Sequence, residues 1–290
     1  MKTLHFLLAL LLSTPLYSQQ IFVVSNQKID EIDPDLFDDY TIDEDEDILI
    51  FHGNSIGNLS YKDVENKVDK LRDVFDRVYL IPGEEDWETM QSERLKDVGD
   101  DLDDEFKGDV IVPENSCGGV EIKDISETLA LVFIDSEWYF RNWEDDKESN
   151  KDCEAKSRPQ FWSQIDDELG KLKSKQIILF TRHPLYRYDE LGGYFSLSDN
   201  VFPFRKFHPS LYVPLPFVGT LFNDTYAYFN NRDFSISPYY QEYSNNLFNI
   251  VNNLPKICII TGDNVDNYYE NIDDIITVNV NTKKNRNDFH

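Results

Sequence analysis

Positive charge is in short supply: 28 Lys and Arg stand against 55 Asp and Glu, a formal net charge of −27 over 290 residues. Nucleic acid is therefore not an expected partner, because phosphate binding needs basic patches. Anionic membrane surfaces are disfavoured for the same reason, and the acid reads as a heavily solvated surface. Cysteine is scarce, with three residues at 117, 153 and 258, and no close Cys/His spacing suggests a zinc site. The 12 glycines form only short turns, which gives no phosphate-cradling loop. There is no Gly/Ser linker, no internal repeat and no G-x-S-x-G nucleophile elbow. The acidic stretch Asp30–Asp47 lacks EF-hand spacing and its glycine, so it reads as a solvated loop rather than a calcium site.

What is present describes a folded, exported protein. Hydrophobic residues make up 40% of the chain and aromatics 14%, as in a globule. Met1–Ser18 has a positive start at Lys2, an apolar run Leu4–Leu12 and a small residue, Ser18, before Gln19. That pattern predicts a signal peptide over residues 1–18, cleavage before Gln19, and a periplasmic or secreted mature chain. No later stretch is long enough to cross a bilayer. Export permits disulfides: Cys117 and Cys153 sit in polar, loop-like sequence and are the natural pair, while Cys258 lies inside ICIIT and reads as a buried thiol.

Six apolar runs each end in a polar loop: Ile21–Gln27, Ile48–Ser55, Val78–Trp87, Leu131–Trp138, Ile177–Pro184 and Ile257–Asn264. Short β-branched runs separated by helical stretches read as buried strands of an α/β protein. Ligands in such folds bind outside the carboxyl ends of the strands, so these loops converge on one mouth. Ser60–Asp63 resembles a capping box before Val64, Val68, Leu71, Phe75 and Val78 at helical spacing. Phe161, Ile165, Leu169 and Leu172 predict a second helix, and Tyr243, Leu247, Ile250 and Leu254 a third. Asp100–Glu105 reads as loop or a helix start. The Phe-, Tyr- and Pro-rich Tyr186–Asp233 reads as an extended insert with neither helix nor strand ladder. Residues 19–290 are taken as one domain, with a frayed polar tail from Thr282.

Taken in order, the loops SNQ, GNS-I-G, GEEDW, RHP and GDNV resemble those of the calcineurin-like metallophosphoesterases, in particular a purple-acid-phosphatase-like secreted branch. Members carry D-x-G, GDN-x-Y, GNHDW, H-x-P and GH-x-H at the same strand ends. The branch's Cys-Gly, DS-x-W, HGG and FP…PLP features are matched by Cys117-Gly118, Asp135-Ser136-Glu137-Trp138, Leu191-Gly192-Gly193, and Phe202-Pro203 with Pro214-Leu215-Pro216. The resemblance spans nearly all of the mature chain and rests on the order of the motifs, since no single motif is specific. It implies an αββα sandwich: two sheets flanked by helices.

The family's chemistry uses two divalent metal ions that orient a phosphate ester and generate a hydroxide. Matched position by position, Asn26 stands for the first-strand Asp and Asn54 for the bridging Asp. Glu84 and Glu85 replace the Asn and His of GNHD, and Arg182 replaces the His after the fifth strand. Asp263 and Val265 replace the two His of GH-x-H. Asp86, Trp87, His183 and Pro184 keep the family letters. Arg182 repels cations and Val265 offers no lone pair. No cofactor is expected; a residual hard-cation site would have to come from Asn26, Asn54, Glu84 and Asp263. Arg182 is expected to pair with Asp263 or the Glu84–Asp86 cluster. His52 and His183 read as structural and His208 as a surface residue. Three functions follow: a non-catalytic pseudoenzyme that binds a protein or surface component, a divergent phosphomonoester or phosphodiester hydrolase, or a structural partner in an envelope assembly.

Overall fold

The computed structural model describes residues 8–11, 19–89, 92–106, 108–114, 119–141, 153, 155–187, 192, 195–206, 208, 210–215, 218–230, 234–254, 256–262, 268–272 and 275–280. All six apolar runs form strands: β2 (Gln20–Ser25), β3 (Ile48–His52), β4 (Arg77–Ile81), β6 (Leu129–Ile134), β7 (Gln176–Thr181) and β8 (Ile257–Thr261). Four more strands lie outside those six runs: β1 (Leu8–Leu11), which falls in the apolar segment Leu4–Leu12 expected to be part of a signal peptide, β5 (Val120–Asp124), β9 (Tyr268–Ile272) and β10 (Ile275–Asn279). They build two sheets, ordered β1-β2-β3-β4 and β5-β6-β7-β8-β10-β9. In each, the strands that begin from the apolar runs are parallel, and antiparallel strands (β1, β5 and β9) take the edges.

The two sheets face each other across one core. Alternate residues of each strand point inward: Ile21, Val23, Ile48, Ile50, Tyr79 and Ile81 meet Leu131, Phe133, Ile178, Phe180 and Ile260 in a single buried cluster. Tyr79 lies against Phe133, with ring centroids 5.2 Å apart. The other face of the first sheet is covered by helix. α1 (Tyr61–Arg72) buries Val64, Val68 and Leu71, and Phe75 reaches Phe22 beyond its end. Its expected cap is formed, with the Ser60 side chain and Asp63 bonded reciprocally. The fold is thus α/β, with two sheets and flanking helices.

Further helices are α2 (Glu84–Thr89), α3 (Ser92–Phe106), α4 (Ser136–Phe140), α5 (Arg158–Gly170), α6 (Leu197–Val201), α7 (Gly219–Asn230) and α8 (Pro238–Val251). α5 matches its expected residues, with Phe161, Ile165 and Leu169 buried. In α8 the buried stripe is Tyr240, Tyr243, Leu247 and Val251, so Val251 takes the place expected for Ile250. Asp100–Glu105 is neither loop nor helix start but the last turns of α3. Leu95, Val98 and Leu102 bury one face of that helix, and the acids line its exposed side.

The chain divides into two compact units, 1–183 with 254–290, and 184–253. The second contains the segment expected to lack helix, and that expectation is corrected: α6 and α7 lie within it, joined by a 3-10 turn at Pro203–Lys206. Local capping overrides the irregular composition. Ser196 and Asp199 form a capping box on α6, and Asn223 of α7 donates to the Asp199 carbonyl and to Asn200. Phe204 meets Phe222 edge-on at 5.2 Å. Leu211, Tyr212 and Val213 are exposed in succession.

Cys153 is disulfide-bonded and Cys258 carries a free thiol. Cys117, the expected partner of Cys153, lies outside the described residues. Cys258 is half-buried rather than fully buried, and burial pushes its thiol up to about 11. Among the described residues, no helix is long and apolar enough to cross a membrane.

Candidate functional site

The mouth lies at the carboxyl ends of the parallel strands. Ser25 and His52 continue the inward phase of β2 and β3, and Arg182 continues that of β7, so all three point between the sheets. Beyond Ser25 and His52 the backbone turns sharply: Asn26 has φ 54°, Gly53 φ 81° and Asn54 φ 56°. Asn is among the few residues that tolerate this left-handed region. The turns are packed closely. A Cβ at Gly83 would lie 2.3 Å from the Asn54 nitrogen, and one at Gly262 would lie 2.6 Å from Ser25 Oγ and 2.7 Å from His52 Nδ1.

Side-chain hydrogen bonds link the strand ends. Asn54 Nδ2 donates to Asn26 Oδ1 at 3.0 Å, and Asn26 Nδ2 donates to the Gly262 carbonyl at 2.6 Å. The Glu85 backbone N–H donates to Asn54 Oδ1 at 2.8 Å. The two positions matched to metal-holding Asp residues are therefore bonded directly to one another. Each of their carbonyl oxygens already accepts a donor.

Asp86 binds backbone amides rather than these side chains. Its carboxylate accepts the backbone N–H groups of Ser55, Ile56, Gly57 and Gly83 at 2.6–3.2 Å, and so pins the loop after β3 to the start of α2. Burial pushes this carboxyl above its usual range, and the four amides pull it part of the way back. Its neighbour Trp87 is buried and donates its indole N–H to Asp135 at 2.9 Å. Asp135 also caps α4 through the Trp138 N–H. Burial raises Asp135 to about 7; Glu137 adds to the shift and the two donors oppose it. Arg141 lies over the Trp87 ring at 5.1 Å.

Arg182 supplies the positive charge of the mouth and is 4% exposed. Its guanidinium makes a close ion pair with Glu137, and its second terminal nitrogen reaches Glu84 Oε2 at 3.0 Å. The expected pairing with the Glu84–Asp86 cluster is thus made by Glu84. Glu137 is part of the DS-x-W motif, which by itself gives it no role. Its position in the first turn of α4, directly after β6 and beside β7, is the available signal. Asp263 and Val265 lie outside the described residues.

His183 is buried, with Nδ1 2.8 Å from Ser136 Oγ and its ring 4.2 Å from that of Phe140. Its own backbone N–H also donates to Ser136 Oγ. Ser136 is fully buried and engaged twice by the same residue, which suits a fastening of β6 to β7 better than an accessible nucleophile. His52 is fully buried against Phe180 and His208 is exposed, each consistent with a structural or surface role.

A pair of divalent cations needs anionic oxygen or imidazole donors turned toward a shared point. The described donor set does not fit that need: the amides of Asn26 and Asn54 are bonded to each other, beside the buried guanidinium of Arg182. A separate acidic group, Asp103, Asp109 and Glu114, gathers elsewhere and was not foreseen. Lys123 pairs with its Asp109 and with Glu121, and burial raises Asp103 to about 6.

No family model matches the chain, and no curated protein does. Among solved structures it is similar to GAP50, the anchor in the inner membrane complex of Plasmodium. The identity is 15% and the TM-score 0.47, over 89% of this chain and 70% of that one.

Proposed function

We propose that this chain is an exported protein of metallophosphoesterase-like αββα architecture that acts by binding rather than catalysis. The observation that carries this is the filling of the mouth. Asn26, Asn54 and the Glu85 amide bond one another, and Arg182 holds Glu84 and Glu137 together. A permanent cation here performs the charge neutralisation that metal ions perform in the family, without offering a lone pair or activating water. The partner is a protein or surface component. The succession of exposed apolar residues Leu211–Val213 supports recognition, since such runs are avoided on surfaces with no binding role.

The test is metal analysis of the purified mature protein together with phosphomonoester and phosphodiester assays. The expected result is substoichiometric metal and no chelator-sensitive turnover. Chelator-sensitive hydrolysis by the wild type would overturn the proposal in favour of a divergent phosphoesterase.

A further inference from the structure

At the end of the sandwich away from the mouth, where edge strands β4 and β5 approach, lies a cavity of about 240 Å³. Its walls include Arg72, Asp76, Arg77, Tyr79, Asp109 and Lys123. Three cations converging on one cavity stand out in a chain of net charge −27. The lining carries three positive groups against two carboxylates.

The cations are not equivalent. Lys123 is spent on carboxylates, since its ammonium pairs with both Asp109 and Glu121 and so holds the nearby Asp103–Asp109–Glu114 group. The two arginines keep donors in reserve. Arg72, at the end of α1, donates one terminal N–H to the Phe106 carbonyl at 3.1 Å, and its guanidinium lies 5.3 Å from the Phe106 ring. Arg77, at the start of β4, turns Nε toward Asp76 at 2.8 Å, and its charge acts on the neighbouring Tyr79 phenol, holding its pKa down against the rise that burial causes. A guanidinium has five N–H donors in a planar fork, which matches the oxygens of a carboxylate or phosphate. Asp76 is the internal competitor: it takes the place an incoming oxyanion would want on Arg77. The cavity is smaller than most ligand pockets, which suits a group of few atoms.

We propose that this cavity binds a small oxyanion, phosphate-sized, free or as the terminal group of a small molecule, on Arg72 and Arg77. The proposal is independent of the binding role assigned to the protein, because no residue of the mouth takes part.

The experiment is a titration of the full mature protein with inorganic phosphate, and in parallel with glycerol 3-phosphate, at constant ionic strength, followed by calorimetry and by chemical shifts of the arginine side chains. Saturable binding is expected, and shifts should appear at Arg72 and Arg77. Arg77→Gln should weaken it about tenfold or more, as loss of a charged hydrogen bond does. Asp76→Asn, which removes the competitor, should tighten it severalfold, and this gain cannot arise from misfolding. Tighter binding of glycerol 3-phosphate than of phosphate would identify a terminal group as the ligand; equal or weaker binding would identify the free ion. Absence of saturable binding, or binding that survives Arg77→Gln and is lost in Arg182→Ala, would overturn the assignment, the latter by placing the anion in the mouth.

Discussion

Arg182 decides the character of the mouth. Its two partners are not equal: Glu84 has a side chain 46% exposed and Glu137 one 9% exposed. An exposed pair contributes about 1 kcal/mol or less, whereas breaking a buried pair leaves an uncompensated charge and costs about 3–5 kcal/mol. Arg182→Ala is therefore expected to destabilise the protein by roughly 3 kcal/mol or more, mainly through Glu137, in urea unfolding. Glu84→Gln should cost about 1 kcal/mol or less in the same measurement. Asn54→Asp replaces the donor to Asn26 Oδ1 with an acceptor, so two oxygens then face each other. A loss of about 1–3 kcal/mol is expected, with no metal-dependent phosphoester turnover, because Arg182 still occupies the mouth. Metal-dependent turnover gained by this single substitution would contradict the binding role proposed for the mouth.

Asp135 provides a pH dependence whose sign is fixed by burial. Its carboxyl is raised from 3.8 to about 7 in the folded protein. Between those values the folded state holds a proton that the unfolded state has released, so stability falls as pH rises from about 4 to about 7 and levels off above. Asp103, raised to about 6, acts in the same sense. Asp135→Asn should flatten the slope of unfolding free energy against pH, even if the loss of one acceptor for Trp87 or Trp138 lowers stability at every pH. An unchanged slope would remove Asp135 from this account.

At the scale of elements, helix ends were legible where side chains bond locally. Ser60 and Asp63 are three residues apart, and the capping box they form needs nothing beyond the first turn of α1. Ser60→Ala is expected to cost about 1 kcal/mol, measured by thermal or urea unfolding. The same chemistry at Ser196 and Asp199 was present in the sequence but hidden among Phe, Tyr and Pro, whose density suggested irregular structure. The acidic end of α3 was missed for a related reason: charges on the exposed face resemble a loop unless they are set against Leu95, Val98 and Leu102 on the buried one. The edge strands β5 and β9 are polar or half-buried and give no apolar run to read.

For the whole molecule, β1 falls inside the segment expected to be a signal peptide and pairs at the outer edge of the first sheet, beside β2. Cleavage before Gln19 would remove an edge strand and leave the parallel β2-β3-β4 pairing intact. The mature protein should thus unfold cooperatively. Intact mass of the exported product, combined with its unfolding curve, checks both points; retention of Met1–Ser18, or loss of cooperativity on cleavage, would contradict them. The sequence by itself determined the six strands that follow apolar runs and the residue types at their loop ends, since burial demands continuous β-branched runs and each loop is attached to its own strand. Only the tertiary structure decided which groups meet across the mouth. Arg182 finds Glu137 because β6 and β7 pair in parallel register, and it finds Glu84 because the two sheets pack face to face. These partners are 45 and 98 residues away along the chain, and hydrophobic periodicity, a local signal, carries no information about distances of that kind.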